Sequence, residues 1–205
     1  MASMKLKFFD FMGVAEPIRY LLAYGGMKYE NILIQKGPNW DIVKKNIPFG
    51  KLPVFEVDGK ILYQSIAISQ YLAKLVHLIP NEDLEIAEME AIGLSIYDFG
   101  ARVYEWYHMV DVEMKQELQK ELEEEVAPRY LGDLEFMANK HGGYLYGKQM
   151  SWVDLYFVGI MESVQGMMDR DWLQQQYPQL YQIFVDVHKI PAIKNYISQR
   201  PSYKY

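Results

Sequence analysis

The stretch "NIPFGKLPVFEVDGKILYQSIAIS", residues 46–69, sets the order of the elements around it. Within it "KLPVFEV" and "KILYQ" read as two strands, and Asp58-Gly59 between them is a hairpin signal of the kind that demands positive φ. Ser65 then stands ahead of "IAISQYLAKL", where its hydroxyl can cap a helix. Pro53 opens a strand, where its missing N–H requires that part of the edge to be left free. Two readings of Pro53 stand side by side. It is an ordinary turn proline, or it is held in cis and exposes the backbone N–H and C=O of Leu52 to an extended ligand laid alongside.

Upstream, "KLKFF" reads as a strand and "AEPIRYLLAYGG" has apolar residues at helical spacing, with Pro17 in the first turn and the glycines closing the end. "ENILIQ" reads as a second strand. The order is β-α-β-(variable)-β-β-α, an α/β unit that needs at least one parallel pair joined by a helical crossover. Around "HLIPNEDLE", residues 77–85, the pattern changes, and a boundary is placed near Pro80. Helix signals follow over 84–108, 112–139, 152–168, 179–188 and 191–199. "KQELQKELEEEV" reads as a solvated amphipathic helix, and "SWVD", Ser151 to Asp154, as a capping box that starts a buried helix.

Composition excludes several classes. Half of the 205 residues are apolar and 15% aromatic, so the chain buries a core. A net charge of −6 with scattered Lys and Arg does not suit a nucleic-acid binder. The chain has no Cys, which removes disulfides, thiolate metal sites and a Cys nucleophile. His77, His108, His141 and His188 fall in no metal-ligand spacing, and no G-x-S-x-G, P-loop or G-x-G-x-x-G occurs. "MASMKLKFF" lacks the apolar run of a signal peptide and no segment reaches the length of a bilayer span, so the expectation is a soluble, cytoplasmic protein with no membrane or nucleic-acid partner.

The chemistry-bearing residues cluster in the α/β unit. Gln64 and Ser65 fall at a helix N-terminus, where free N–H groups and the helix dipole favour a carboxylate or phosphate. Trp40 and Lys44, four apart, share a helical face and present a ring N–H and an ammonium together.

In "AEPIRYLLAYGGMKYE", "PFGKLPVFEVDG", "QSIAISQYLAK", "SWVDLYF" and "IPAIKNYISQRP", taken in order, the chain resembles the cytosolic glutathione transferases, most closely the sigma class that includes glutathione-dependent prostaglandin D synthases, insect enzymes and lens S-crystallins. The resemblance implies an α/β thioredoxin-like domain over 1–78, an all-helical domain over 84–205 that contributes the apolar pocket, and a homodimer. It implies glutathione as substrate and no metal. By the match, Leu52 ahead of a cis Pro53 pairs with the cysteinyl part, and Gln64 and Ser65 hold the γ-glutamyl carboxylate. Trp40, Lys44 and Lys51 contact the glycyl end, while Asp98 reaches the γ-glutamyl amine in the partner subunit. Phe9, Phe11, Gly13, Tyr104 and Tyr107 are expected to wall the site of an apolar electrophile.

The chain departs from the pattern at Phe8, where sigma members carry a Tyr whose hydroxyl donates to the glutathione sulfur. A hydrogen bond to a charged acceptor is worth about 1.5–3 kcal/mol, so its loss raises a thiol pKa of about 8.5 by about 1–2 units. The expectation is a transferase of attenuated activity; the alternative is a non-catalytic protein, crystallin-like or a carrier of glutathione and apolar ligands. Prostaglandin D synthases also place further acidic residues ahead of the shared "DF" and an Arg where Val14 stands. Leu94 and Tyr97 occupy the acidic positions here, so a magnesium-activated prostaglandin synthase is not expected.

Overall fold

Met4–Phe9 forms β1, with Leu6 and Phe8 turned to the core and Lys5 and Lys7 to the opposite face, where both meet Glu56 (3.2 and 3.7 Å). The computed structural model describes residues 3–203 and 205, without the side chains of Pro38 and Asn39. Residues 1, 2 and 204, which the sequence reading includes in its two domains, lie outside the described residues.

After β1 come α1 (Glu16–Tyr24), β2 (Glu30–Ile34), α2 (Pro38–Val43), β3 (Val54–Val57), β4 (Lys60–Tyr63) and α3 (Ser65–Leu75). The sheet order is β2-β1-β3-β4. β1 and β2 are parallel, with Phe8 opposite Leu33 and α1 as the crossover; β1–β3 and β3–β4 are antiparallel, with Leu6 opposite Phe55 and Phe55 opposite Leu62. Asp58 and Gly59 take φ of 47° and 80°, as the hairpin turn requires. β3 begins at Val54, later than the expected "KLPVFEV", because Pro53 has no N–H for the ladder.

Helices follow: α4 (Asp83–His108), α5 (Val112–Glu121), α6 (Ala127–Lys140), α7 (Trp152–Met168), α8 (Pro178–Lys189) and α9 (Pro191–Gln199). A π-turn over Leu122–Val126 joins α5 to α6, so the expected single helix over 112–139 is one run with its hydrogen bonding shifted midway. Among the described residues no helix is long and apolar enough to cross a membrane.

α7 is the central helix: residues 152–161 are all buried. Its start is pinned by Asp154, which accepts from Ser151 N (2.7 Å), Ser151 Oγ (2.8 Å) and Leu145 N (2.8 Å). Burial pushes the Asp154 carboxyl up to about 6 against the lowering pull of these donors. α7 packs on α4 and, across from it, on α1. Between α1, α7, α8 and the segment after α9 lies a charged knot. Glu16 and Arg19 are fully buried 2.9 Å apart, Arg200 bridges Glu16 to Glu162 (2.8 Å to the latter), and His188 Nε2 is 2.9 Å from Glu162.

Candidate functional site

Two cavities open where the C-terminal end of β1 and the start of α3 face α4 and α7. The smaller, about 310 Å³, is built around the start of α3. Gln64 flanks that helix with φ 70°, a left-handed conformation that a side chain strains to hold, costing about 1–3 kcal/mol. Strain of this size persists where the surroundings impose it, and both Gln64 and Ser65 line the cavity. The Ser65 hydroxyl does not cap α3. Ser65 is already inside the helix, and its Oγ is hydrogen-bonded to Tyr156 Oη at 2.9 Å in the core. No side chain therefore caps the first turn, and its N–H groups remain available to an anion beside Lys51. The Leu52-Pro53 bond is cis. The β1–β3 ladder ends at Lys7–Val54, so Leu52 lies beyond it, in the wall of both cavities.

The larger cavity, about 440 Å³, is aromatic. Phe8, Phe9 and Phe11 cluster at its base, with centroids 5.2–5.7 Å apart, and Trp40 stands edge-on to Phe9 at 5.0 Å. One side is a stripe of α4, Tyr97, Gly100, Ala101 and Tyr104; the other is a stripe of α7, Ile160, Ser163, Val164 and Met167. Both run i, i+3, i+4, i+7, one face of a helix. At the mouth, Lys36 Nζ lies 4.9 Å from the Phe11 ring and donates to Tyr104 Oη at 3.3 Å. The Ser163 hydroxyl is buried and unpartnered among the described residues.

The structure thus brings Phe8, Phe9, Phe11, Gly13, Trp40 and Tyr104 into the larger cavity, Pro53, Gln64 and Ser65 into the smaller, and Lys51 and Leu52 into the wall they share. Lys44 lines neither cavity; its side-chain carbons lie against Gly50, which lines the larger one. Asp98 is exposed on α4 outside both cavities, about 100° around the axis from Tyr97. Tyr107 is a correction: it does not line the pocket. Although it shares helical spacing with Gly100 and Tyr104, its ring packs edge-on against Tyr205 at 5.9 Å instead.

Sequence reasoning missed Lys36, Ser163 and the role of both stripes. Small residues at i+3 and i+4 were the available signal, but they read equally well as helix packing.

Residues 4–74 match the family profile described as glutathione S-transferase, N-terminal domain, and residues 97–200 match the C-terminal domain of the same family. The chain belongs to the glutathione S-transferase family. Among glutathione S-transferases it is 36% identical over 202 residues to glutathione S-transferase S1 of Drosophila melanogaster, covering 97% of this chain and 79% of the relative. It is 35% identical to hematopoietic prostaglandin D synthase of Gallus gallus, covering 98% of each. The structure of prostaglandin synthase D of Nilaparvata lugens superposes with a TM-score of 0.91 at 31% identity, over 97% of this chain and 98% of that one. The glutathione S-transferase fold, a four-stranded mixed sheet with helices followed by a helical region, is the one described above.

Proposed function

We propose that this transferase binds glutathione across the two cavities and promotes attack of its sulfur on an apolar electrophile, by conjugation or reduction, in the service of detoxification. The observation that carries the reading is the join between them. An anion-seeking helix start opens, through the wall of Lys51 and Leu52, into an aromatic pocket. Glutathione is a short peptide with a carboxylate at each end and its thiol in the middle, which suits this layout. In this proposal Gln64, Ser65 and the α3 N–H groups take the γ-glutamyl carboxylate, the free Leu52 backbone pairs with the cysteinyl residue, and Trp40, Lys44 and Lys51 take the glycyl carboxylate.

We place the division into a glutathione-binding domain and a helical domain at 78 and 84, the working unit as a homodimer and its location as the cytoplasm, where glutathione is kept reduced. Supporting a dimer, the Phe49 ring is 77% exposed and lies 5.2 Å from the half-exposed Tyr63, an aromatic pair that also lines the smaller cavity. Asp98, exposed beyond its own cavities, is available to a partner subunit. The test is retention on immobilised glutathione together with a heat-shift on adding the tripeptide. Retention and a rise in melting temperature are expected; the absence of both overturns the reading.

Phe8 favours a second reading, a glutathione-binding protein without turnover. Rates equal to the uncatalysed reaction with several electrophiles, peroxides included, even at alkaline pH, would decide for it.

A further inference from the structure

Four residues line both cavities: Val14, Lys51, Leu52 and Tyr97. In a tripeptide whose carboxylates reach outward from the α3 start, the cysteinyl sulfur, carried by the middle residue, comes to this junction. Neither Val14 nor Leu52 has a polar side chain to offer there, and the Leu52 backbone is assigned above to the cysteinyl residue. Lys51 bears an ammonium, which the reading above gives to the glycyl carboxylate. The remaining donor at the junction is the Tyr97 phenol.

That phenol is uncommitted. Tyr104, seven residues on, accepts from Lys36 and lines only the larger cavity, and Tyr156 is engaged by Ser65, whereas Tyr97 has no hydrogen-bond partner among the described residues. A second observation places Tyr97 toward the α3 start: it lines the smaller cavity together with Gln64 and Ser65. Tyr97 therefore stands between the anion site and the aromatic pocket that contains Phe8, with a free hydroxyl.

We propose that the Tyr97 hydroxyl is the hydrogen-bond donor that stabilises the thiolate of bound glutathione, in place of the hydroxyl Phe8 lacks; this rests on the reading that glutathione lies across the two cavities. The phenol keeps its proton and donates it in a hydrogen bond. The thiol's own proton passes to solvent water, and the sulfur lone pair then forms the bond to the electrophilic carbon as the bond to a leaving group breaks and that group departs with its electron pair, or as the π pair of a conjugated double bond moves away and is protonated by water. Tyr97 thus acts as a catalytic residue through charge stabilisation of the attacking sulfur. Along the α4 stripe Tyr97 is the residue that lines the smaller cavity as well, while Gly100, Ala101 and Tyr104 line the larger one alone.

The test compares Tyr97→Phe with the parent protein in the full chain, reading the thiolate absorbance of bound glutathione against pH, the pH profile of kcat/KM with an apolar electrophile, and glutathione affinity by calorimetry. Removing one donor to a charged sulfur is expected to move the thiolate transition up by about one pH unit and to lower kcat/KM below that transition roughly tenfold, with affinity changed much less. In a Phe8→Tyr background the same substitution is expected to matter less, because a second donor is present. Lys51→Gln is expected to weaken binding without moving the thiolate transition. An unchanged transition in Tyr97→Phe with intact glutathione binding overturns the proposal and leaves the functional reading standing, as does a shift produced by Lys51→Gln instead. If the parent protein does not bind glutathione, both fall.

Discussion

Gly159 of α7 lies directly against Pro17 of α1: a Cβ built on Gly159 would stand 2.7 Å from the Pro17 nitrogen and 3.0 Å from its Cα. The atoms it would meet are mostly backbone in the first turn of a buried helix, so they cannot swing aside as a long side chain could. Gly159→Ala therefore has to push α1 away from α7, the helix that also supplies one of the pocket stripes. Overpacking of this kind costs about 1–3 kcal/mol. Urea unfolding is expected to show a lowered midpoint with an unchanged slope, and a midpoint equal to the parent's would mean the two helices are not held in this contact.

Phe8→Tyr tests the departure at the end of β1. The Phe8 ring is almost wholly buried yet opens on the aromatic cavity, so an added hydroxyl enters the space proposed for the electrophile and the sulfur. Neither nearby charged residue of the same segment supplies that donor: Asp10 is an acceptor engaged by Gln35, and Lys7 lies on the opposite face with Glu56. Conjugation at pH values below the ordinary thiol pKa of about 8.5 is expected to rise several-fold, up to about tenfold, with glutathione affinity little changed. An unaltered pH profile would show that position 8 does not address the sulfur.

The charged knot predicts the pH dependence of folding. Burial alone would raise the Glu162 pKa, but hydrogen bonds from His188 and Arg200, and the Arg200 charge, bring it down to about 2 from an ordinary 4.5. A depressed carboxylate contributes stability that is complete above its unfolded pKa and is lost as pH falls through the window from about 4.5 to about 2. His188 moves the other way: burial lowers it, yet Glu162 and the Phe184 carbonyl (2.7 Å) outweigh burial and raise it. Its contribution is complete below the ordinary imidazole pKa of about 6.5 and disappears as pH rises through the raised value. Arg200→Met removes the bridge between Glu16 and Glu162 and leaves buried carboxylates short of a partner. It is expected to cost about 3–5 kcal/mol at neutral pH and to flatten the acid limb of a stability–pH curve measured by urea unfolding. A variant as stable as the parent, with the same acid limb, would contradict the assignment.

How much of this was legible in the sequence follows from range. The period-2 alternation of Leu6 and Phe8, the Asp58-Gly59 turn and the Ser151–Asp154 box are local, and each appears where the sequence places it. The helix from 152 to 168 was visible because it is apolar on every face. Ser65 was misread because its partner, Tyr156, is 91 residues away and lies on another helix, and a distant phenol outcompetes a local cap. Glu16 and Arg19 look like surface charges at helical spacing, and their complete burial depends on Arg200 and Tyr196 arriving from the far end of the chain. The cavity stripes were hidden for a different reason. Gly100 and Ala101 mark a close approach in a packed pair and an opening in a pocket alike, and only the relative position of α4 and β1 separates the two.

Phe49 and Asp98 together test the proposed dimer. Phe49 is the most exposed phenylalanine among the described residues, and exposing so much aromatic surface in a monomer is unfavourable by about 25 cal/mol per Å². In a two-fold assembly each Phe49 is covered by the same patch on the other subunit. Phe49→Ser is expected to shift sedimentation from dimer toward monomer at micromolar concentration without unfolding, since the ring makes few contacts within its own chain. If Asp98 completes the partner's glutathione site, that dissociation also weakens glutathione binding, and because Phe49 itself lines the smaller cavity the decisive comparison is Asp98→Asn, which weakens binding while the dimer persists. Loss of one charge-assisted hydrogen bond sets the size of both effects at roughly tenfold or somewhat more. A Phe49→Ser monomer that binds glutathione as tightly as the parent would show that each subunit's site is complete alone, and Asp98 would then be an ordinary surface carboxylate.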